Sequence, residues 1–208
     1  MTATALNSLL AYLLGSVSGS LLLGRLRQVD IRRLGSGNAG GTNALRTQGL
    51  TFALGVVIID IGKGVLAAFL PAWLIWGSAP QATAPLFCAM AAVIGHCFPI
   101  WHGFRGGKGA ATAVGAVLVI QPFALIPMLS VWLICLVVTG WVGLSTMLAG
   151  VSLVPALMWL EAPRAQWVFG LAVALFLIFT HRNNIRAMIN GSEHKFERVR
   201  VHNWFRHG

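Results

Sequence analysis

The chain has 208 residues, of which 57% are hydrophobic and only 10% charged, and its mean hydropathy is +0.77. Soluble domains carry about 25% charged residues, so this composition excludes a water-exposed surface of ordinary polarity and makes a membrane protein the expected class. The net charge of +10, from 15 Lys and Arg against 5 Asp and Glu, needs no nucleic acid to explain it, because cytoplasmic loops of membrane proteins collect such an excess.

A bilayer-crossing helix needs roughly 20 mostly apolar residues. In chain order the apolar segments are 5–24, 50–76, 85–101, 110–120, 122–138, 144–160 and 166–180. The fourth is short. The break at Gln121-Pro122 is read as separating two crossings, because the combined stretch exceeds what one crossing needs. No Lys or Arg precedes the first segment, whereas Arg25, Arg27, Arg32 and Arg33 follow it. That asymmetry argues against a cleaved signal peptide and places the N-terminus outside. Seven crossings then leave the C-terminus in the cytoplasm. All cations except Arg164, outside, and Lys63, within the second segment, fall inside: thirteen of the fifteen. The expected fold is an all-α membrane protein with seven transmembrane helices and its polar loops on the cytoplasmic face.

No internal repeat or second domain is visible, so residues 1–208 read as a single domain. The basic tail 195–208, with Phe196, Trp204 and Phe205, reads as an interfacial anchor on an anionic leaflet. Cys88, Cys97 and Cys135 lie in or near apolar segments and read as reduced packing residues. Cys97 has His96 and His102 nearby but no second pair of ligands of the kind zinc sites use, so no metal is expected.

Three polar loops stand out. The first, 30–46, contains Gly35-Ser-Gly-Asn-Ala-Gly40, which has the spacing of a dinucleotide fingerprint. That fingerprint needs a buried strand before it, and here the preceding stretch is charged, so no nicotinamide site is expected. Its glycines still let successive backbone N–H groups converge on an oxyanion. Ser36, Asn38, Thr42 and Asn43 add donors, and Arg46 can grip a phosphate bidentately. A plain solvated turn needs none of these side chains.

The second loop, 95–112, carries Arg105-Gly-Gly-Lys108-Gly109. A P-loop needs glycine where His102 stands and a hydroxyl where Gly109 stands, so ATP is not expected. Two cations nevertheless sit on a backbone that a ligand can approach, at the start of a predicted helix whose N-terminus favours anions. Snorkelling to lipid headgroups is the competing role for Arg105 and Lys108, and His96 reads equally well as an interfacial histidine. In the third loop, 181–195, a continuing helix would put His181 and Asn184 on one face at i, i+3 spacing. A basic membrane stop needs the arginines there but not the amides. Asp60 and Lys63, also i, i+3, lie within the second segment. Intramembrane charge signals function by default, while an ion pair securing the bundle accounts for it equally.

Gly35-Ser-Gly-Asn-x-Gly-x-Thr-Asn43, Gly95-His-x-Phe-Pro99 with Gly106-Gly-Lys-Gly109, and His181-x-x-Asn184-Ile with Gly191-x-Glu193 follow one another over nearly the whole chain. Together they resemble the motifs of the bacterial acyl-phosphate:glycerol-3-phosphate acyltransferases, small integral enzymes of the cytoplasmic (inner) membrane that begin phospholipid synthesis. Gly41 stands where Ala is common in that family, and Arg105 where Lys is common. The resemblance implies a seven-helix fold. It also implies transfer of a fatty acyl group from acyl phosphate to the 1-hydroxyl of sn-glycerol 3-phosphate, giving 1-acylglycerol 3-phosphate (lysophosphatidic acid) and phosphate.

The catalytic residues it implies are Ser36, Lys108, His181 and Asn184. Substrate contacts would come from Gly35, Gly37, Asn38, Gly40, Thr42, Asn43, Arg46, His96, Gly106, Gly107, Gly109 and Glu193. No cofactor, metal, nucleic acid or obligate protein partner is expected; the partners are the two substrates and membrane lipid. The residue chemistry agrees, since both substrates carry phosphate and one carries a long acyl chain. Soluble-type acyltransferases that use thioesters share a His-x-x-x-x-Asp motif, but no His precedes Asp30 or Asp60. The base is left open between His181 and a phosphate oxygen of the substrate, whose second pKa is near 6. A phosphate-ester transporter is the alternative of another class. Such proteins place their site at the midplane between repeated halves, and no repeat is present here.

Overall fold

The computed structural model describes residues 3–74 and 81–196. All regular structure among the described residues is helical. The chain forms two compact units, Met1–Ile120 and Gln121–Gly208. The first holds α1 (Ala3–Gly15), α2 (Gly19–Leu26), α3 (Gly41–Gln48), α4 (Leu50–Trp73), α5 (Ala84–Cys97) and α6 (Ala110–Ile120). The second holds α7 (Leu125–Thr139), α8 (Val142–Trp159), α9 (Arg164–Thr180) and α10 (Arg182–Ile189).

Among the described residues four helical stretches are long and apolar enough to cross a membrane: Leu50–Trp73, Ala84–His102, Pro122–Thr139 and Val142–Trp159. The count rises to six if two bent pairs, α1 with α2 at 40° and α9 with α10 at 53°, each form one span. The remaining segment, α6, has 11 residues and rises only about 16 Å at 1.5 Å per residue, short of a hydrocarbon core about 30 Å thick. Ile58, Ile134 and Val168 are each more than half exposed, a surface that suits lipid rather than water. The C-terminal tail lies beyond the described residues from 197 onward.

Helix contacts follow the rule for lipid, where close backbone approach replaces hydrophobic drive. In the first unit α1 and α5 meet at Gly15, against the Ala92 backbone, and at Gly95, against the Tyr12 carbonyl. Helices α4 and α6 meet at Gly64, against Thr112, and at Gly115, against Ile61. A Cβ at any of the four would overlap main-chain atoms. The Tyr12 hydroxyl adds a 2.8 Å bond to the Phe98 carbonyl. In the second unit Gly150 admits Leu177, and Gly170 admits Leu157, which joins α8 to α9. All three cysteines are buried and unbridged.

The first apolar segment is not the continuous helix that hydropathy suggests. It breaks at residues 16–18, and buried charges of α4 take up the backbone groups the break releases. Lys63 Nζ donates to the Val17 carbonyl at 2.7 Å, and Asp60 Oδ1 accepts from the Gly19 amide at 3.3 Å. The two side chains pair at 2.9 Å with only 3% and 1% exposure. Ser18 then caps α2 by accepting from the Leu21 amide. Charge of each sign thus meets the helix end whose partial charge it complements.

Candidate active site

The first loop is shaped from below by one amide. Asn43, on α3 and 1% exposed, donates through Nδ2 to the carbonyls of Ile31, Leu34 and Asn38, each at 3.0 Å. Its Oδ1 accepts from the Ser36 backbone amide at 3.0 Å. The chain can wrap this tightly because Gly35 and Gly37 take φ of +56° and +71°, a region open to glycine at no steric cost. A Cβ at Gly35 would strike Asn43 Oδ1 itself. Buried Ile31 anchors the loop in a cluster with Ala44, Phe52, Ala53 and Val56. The outcome is an exposed Ser36 at the crest of a rigid turn. Asn38, Gly40, Thr42 and Arg46 are half-buried along the start and one side of α3.

Arg32 and Ala39 tie this loop to the second one. Asp30 caps the turn Ile31–Arg33 by accepting from the Arg32 amide at 3.0 Å, and the Arg32 guanidinium grips its carboxylate at 2.7 Å. The hydrogen bond from Arg32 holds the Asp30 carboxyl below its ordinary range, and Arg32 is raised in turn. From the same guanidinium, Nη1 reaches the carbonyls of His102, at 3.1 Å, and Arg105, at 3.4 Å. Buried Ala39 donates its amide to the Gly106 carbonyl at 3.4 Å, while its own carbonyl accepts from Ser20 Oγ of α2 at 2.9 Å.

The second loop folds back on the end of α5. The amides of Gly106 and Gly107 donate to the carbonyls of Cys97 and His96 at 3.2 and 3.1 Å. Neither glycine could carry a side chain: a Cβ on Gly106 would overlap the His96 carbonyl, and one on Gly107 the His96 imidazole. Gly109, at φ +89°, turns the chain into α6, with half-buried Lys108 just before the helix start. His96 is 4% exposed, with Nδ1 at 3.5 Å from Asp60 Oδ1. The first two loops are therefore one hydrogen-bonded assembly, in which Asn43 and His96 form the frame and Ser36, Arg46 and Lys108 lie nearer the surface.

The third loop belongs to the second unit. His181 sits at the joint of α9 and α10, and the helical ladder continues across it through the Ile185 amide and the His181 carbonyl at 3.0 Å. Its ring is 5% exposed, with Nδ1 at 2.8 Å from the Leu177 carbonyl. A carbonyl only accepts, so Nδ1 carries the proton and Nε2 is the basic nitrogen of the neutral ring. Asn184 Nδ2 donates to Glu193 Oε1 at 2.7 Å, and the lack of a side chain at Gly143 makes room for Asn184. Gly191, at φ +69°, reverses the chain after α10 and brings Glu193 back to that amide.

A glycine-framed pair of loops in an all-helical, lipid-suited chain finds its counterpart among known proteins. The family model described as glycerol-3-phosphate acyltransferase matches residues 5–191. The chain belongs to this acyltransferase family. The match spans every loop residue above except Glu193, which lies just beyond it. A glycerol-3-phosphate acyltransferase of Bacillus velezensis is 41% identical, over 93% of this chain and 97% of its own length. One from Symbiobacterium thermophilum is 38% identical, over 90% and 92%. Among solved structures, the integral membrane glycerol 3-phosphate acyltransferase PlsY in its glycerol 3-phosphate form superposes with a TM-score of 0.85 at 31% identity, over 94% of this chain and 96% of that one. Its lysophosphatidic acid form gives 0.84 at 30%, with the same coverage.

Sequence reasoning misses Arg32 and Ser20 in this acyltransferase loop assembly and does not connect Asp60 and Lys63 to it. Arg32 looked like one cation in a basic run, and Ser20 like part of an apolar span. Asp60 and Lys63 were noticed for their charge, but no spacing rule connects them to residues 17 and 19. The readable signal was Gly15-Ser-Val-Ser-Gly19-Ser20, whose small polar residues mark a place where a helix can break.

Proposed function

We propose that this chain transfers a fatty acyl group from acyl phosphate to the 1-hydroxyl of sn-glycerol 3-phosphate, releasing lysophosphatidic acid and orthophosphate. The hydroxyl oxygen bonds to the acyl carbon, and the bond from that carbon to the phosphate oxygen breaks. The hydroxyl proton passes to His181 Nε2 or to a phosphate oxygen. The observation that carries this reading is the joining of the Ser36–Arg46 loop to the Arg105–Gly109 loop through Ala39 and Arg32. That assembly gathers cations suited to phosphate groups on a glycine backbone that a ligand can approach closely. Family membership and the PlsY forms named for glycerol 3-phosphate and lysophosphatidic acid support acceptor and product.

An acyl phosphate is a mixed anhydride with a good leaving group, so catalysis requires mainly positioning and charge neutralisation. In this reading Ser36 and Lys108 contact the reacting groups, and Arg46 holds a phosphate. His181 and Asn184 are assigned to the same reaction on the motif resemblance, with Glu193 orienting Asn184. Asn38 and Thr42 supply further donors, the loop glycines let the substrates approach the backbone closely, and Asn43 and His96 act through the backbone they hold. The proposed setting is the bacterial inner membrane, crossed seven times when each bent pair and the short α6 count as one crossing, with the N-terminus outside and all three loops in the cytoplasm.

Purified protein assayed in parallel with palmitoyl phosphate, palmitoyl-CoA and palmitoyl-carrier protein tests the donor. Rapid turnover is expected with palmitoyl phosphate alone, with competitive inhibition by orthophosphate and without added ATP or divalent metal. Equal turnover with palmitoyl-CoA would falsify the acyl-phosphate mechanism while leaving the family assignment intact.

A further inference from the structure

Asp60 and Lys63 are placed in a way that a bundle-securing ion pair does not require. Each also binds a backbone atom at the break between α1 and α2, the carboxylate at the Gly19 amide and the ammonium at the Val17 carbonyl. Asp60 faces a third group as well, the buried His96 ring at 3.5 Å. Desolvating such a pair commonly offsets its Coulombic gain, so stability alone is a weak reason to place it here. Geometry is the stronger reason, because two paths lead from the pair to adjacent glycines, Gly106 and Gly107.

One path runs through α2. The break that Asp60 and Lys63 hold fixes the start of that helix, where Ser20 lies next to Gly19. Ser20 Oγ donates to the Ala39 carbonyl, and the Ala39 amide donates to the Gly106 carbonyl. The other path runs through α5. Asp60 faces the His96 ring, which occupies the space a Gly107 side chain would take, and the His96 carbonyl accepts the Gly107 amide. The first ends at Gly106 and the second at Gly107, the two residues that precede Lys108.

We infer that Asp60, Lys63 and His96 form a positioning device, in which a buried ion pair sets the helix break and thereby fixes the Gly106–Gly109 turn in its phosphate-binding shape. The inference rests on the proposed role of that turn. It makes Asp60 and Lys63 positioning residues that touch no substrate.

The test uses the purified full-length protein in detergent, with glycerol 3-phosphate varied at saturating palmitoyl phosphate and thermal melting recorded alongside. The double variant Asp60→Asn/Lys63→Met removes both charges at near-constant volume and so leaves neither one buried alone. It is expected to keep a cooperative melt. Its KM for glycerol 3-phosphate should rise about tenfold with kcat changed less than about threefold, the signature of lost binding rather than lost chemistry. Wild-type KM in this folded variant overturns the inference, and so does a fall in kcat at unchanged KM. Should the double variant not fold, Ser20→Ala interrupts the α2 path by removing one hydroxyl. A KM rise is expected there too, and wild-type KM overturns the inference. Lys108→Ala is measured in parallel. Wild-type kinetics in that variant unseat the role of the turn itself, whereas an impaired Lys108→Ala beside a wild-type-like double variant unseats only the device.

Discussion

At the scale of single residues, the proposed site separates side chains that meet substrate from those that hold the backbone. Arg46→Lys keeps the charge but loses the planar fork that grips phosphate bidentately. It is expected to raise KM for glycerol 3-phosphate without moving the melting temperature. Lys108→Ala should cost more activity than Arg105→Lys, because Arg105 is exposed and its carbonyl, not its side chain, serves the loop. Asn43→Ala should behave differently from both. It strips three carbonyls and one amide of their partner, so the melting temperature should fall with activity. The expected loss is about 1–3 kcal/mol, the usual cost of leaving buried polar groups unpaired. Unchanged melting in Asn43→Ala would show that water replaces the amide. Asparagine in a glycine loop reads from sequence as a substrate donor, because spacing does not reveal which carbonyls fold around it.

At the scale of elements, the turns and breaks carry the predictions. The Asp30 cap ties the Ile31–Arg33 turn to the second loop through Arg32. Its carboxyl titrates below the ordinary 3.8, so its contribution is complete above about that pH and is lost as pH falls through the lowered folded value. The melting difference between wild type and Asp30→Asn should therefore stay constant from neutral pH down to the ordinary carboxylate range and close below it. A difference that already closes near pH 6 would point to another group. Gly107→Ala places a methyl where the His96 ring sits, and should impair activity more than Gly62→Ala within α4, whose Cβ meets nothing within 4 Å. That the apolar segments form helices suited to lipid was legible because a 57% hydrophobic chain punctuated by arginines leaves few places to turn. The break at 16–18 was not, because hydropathy averages over the buried polar groups that satisfy it.

At the scale of the whole molecule, the proposed orientation puts all three polar loops on one side of the membrane. Single cysteines at Ser36, Arg105 and Asn183, all exposed, in a background lacking Cys88, Cys97 and Cys135, should react with impermeant thiol reagents only from the cytoplasmic side. Gly106 is unsuitable for this test, since a Cβ there overlaps the His96 carbonyl. Labelling of any one from outside would separate the loops and end the shared-site reading. By itself the sequence determined that the chain is helical and membrane-suited, that its polar chemistry lies in three glycine-bearing loops, and which family those loops resemble. Composition and local spacing suffice for such conclusions, because burial in lipid and glycine turns leave signatures within a few residues. Only the tertiary structure decided that Asn43 and His96 hold loop backbone, that Arg32 and Ala39 join two loops some 70 residues apart, and that Asp60 and Lys63 brace a broken helix. Those contacts depend on which backbone groups are left unpaired after packing, a property of the folded arrangement that no stretch of sequence contains.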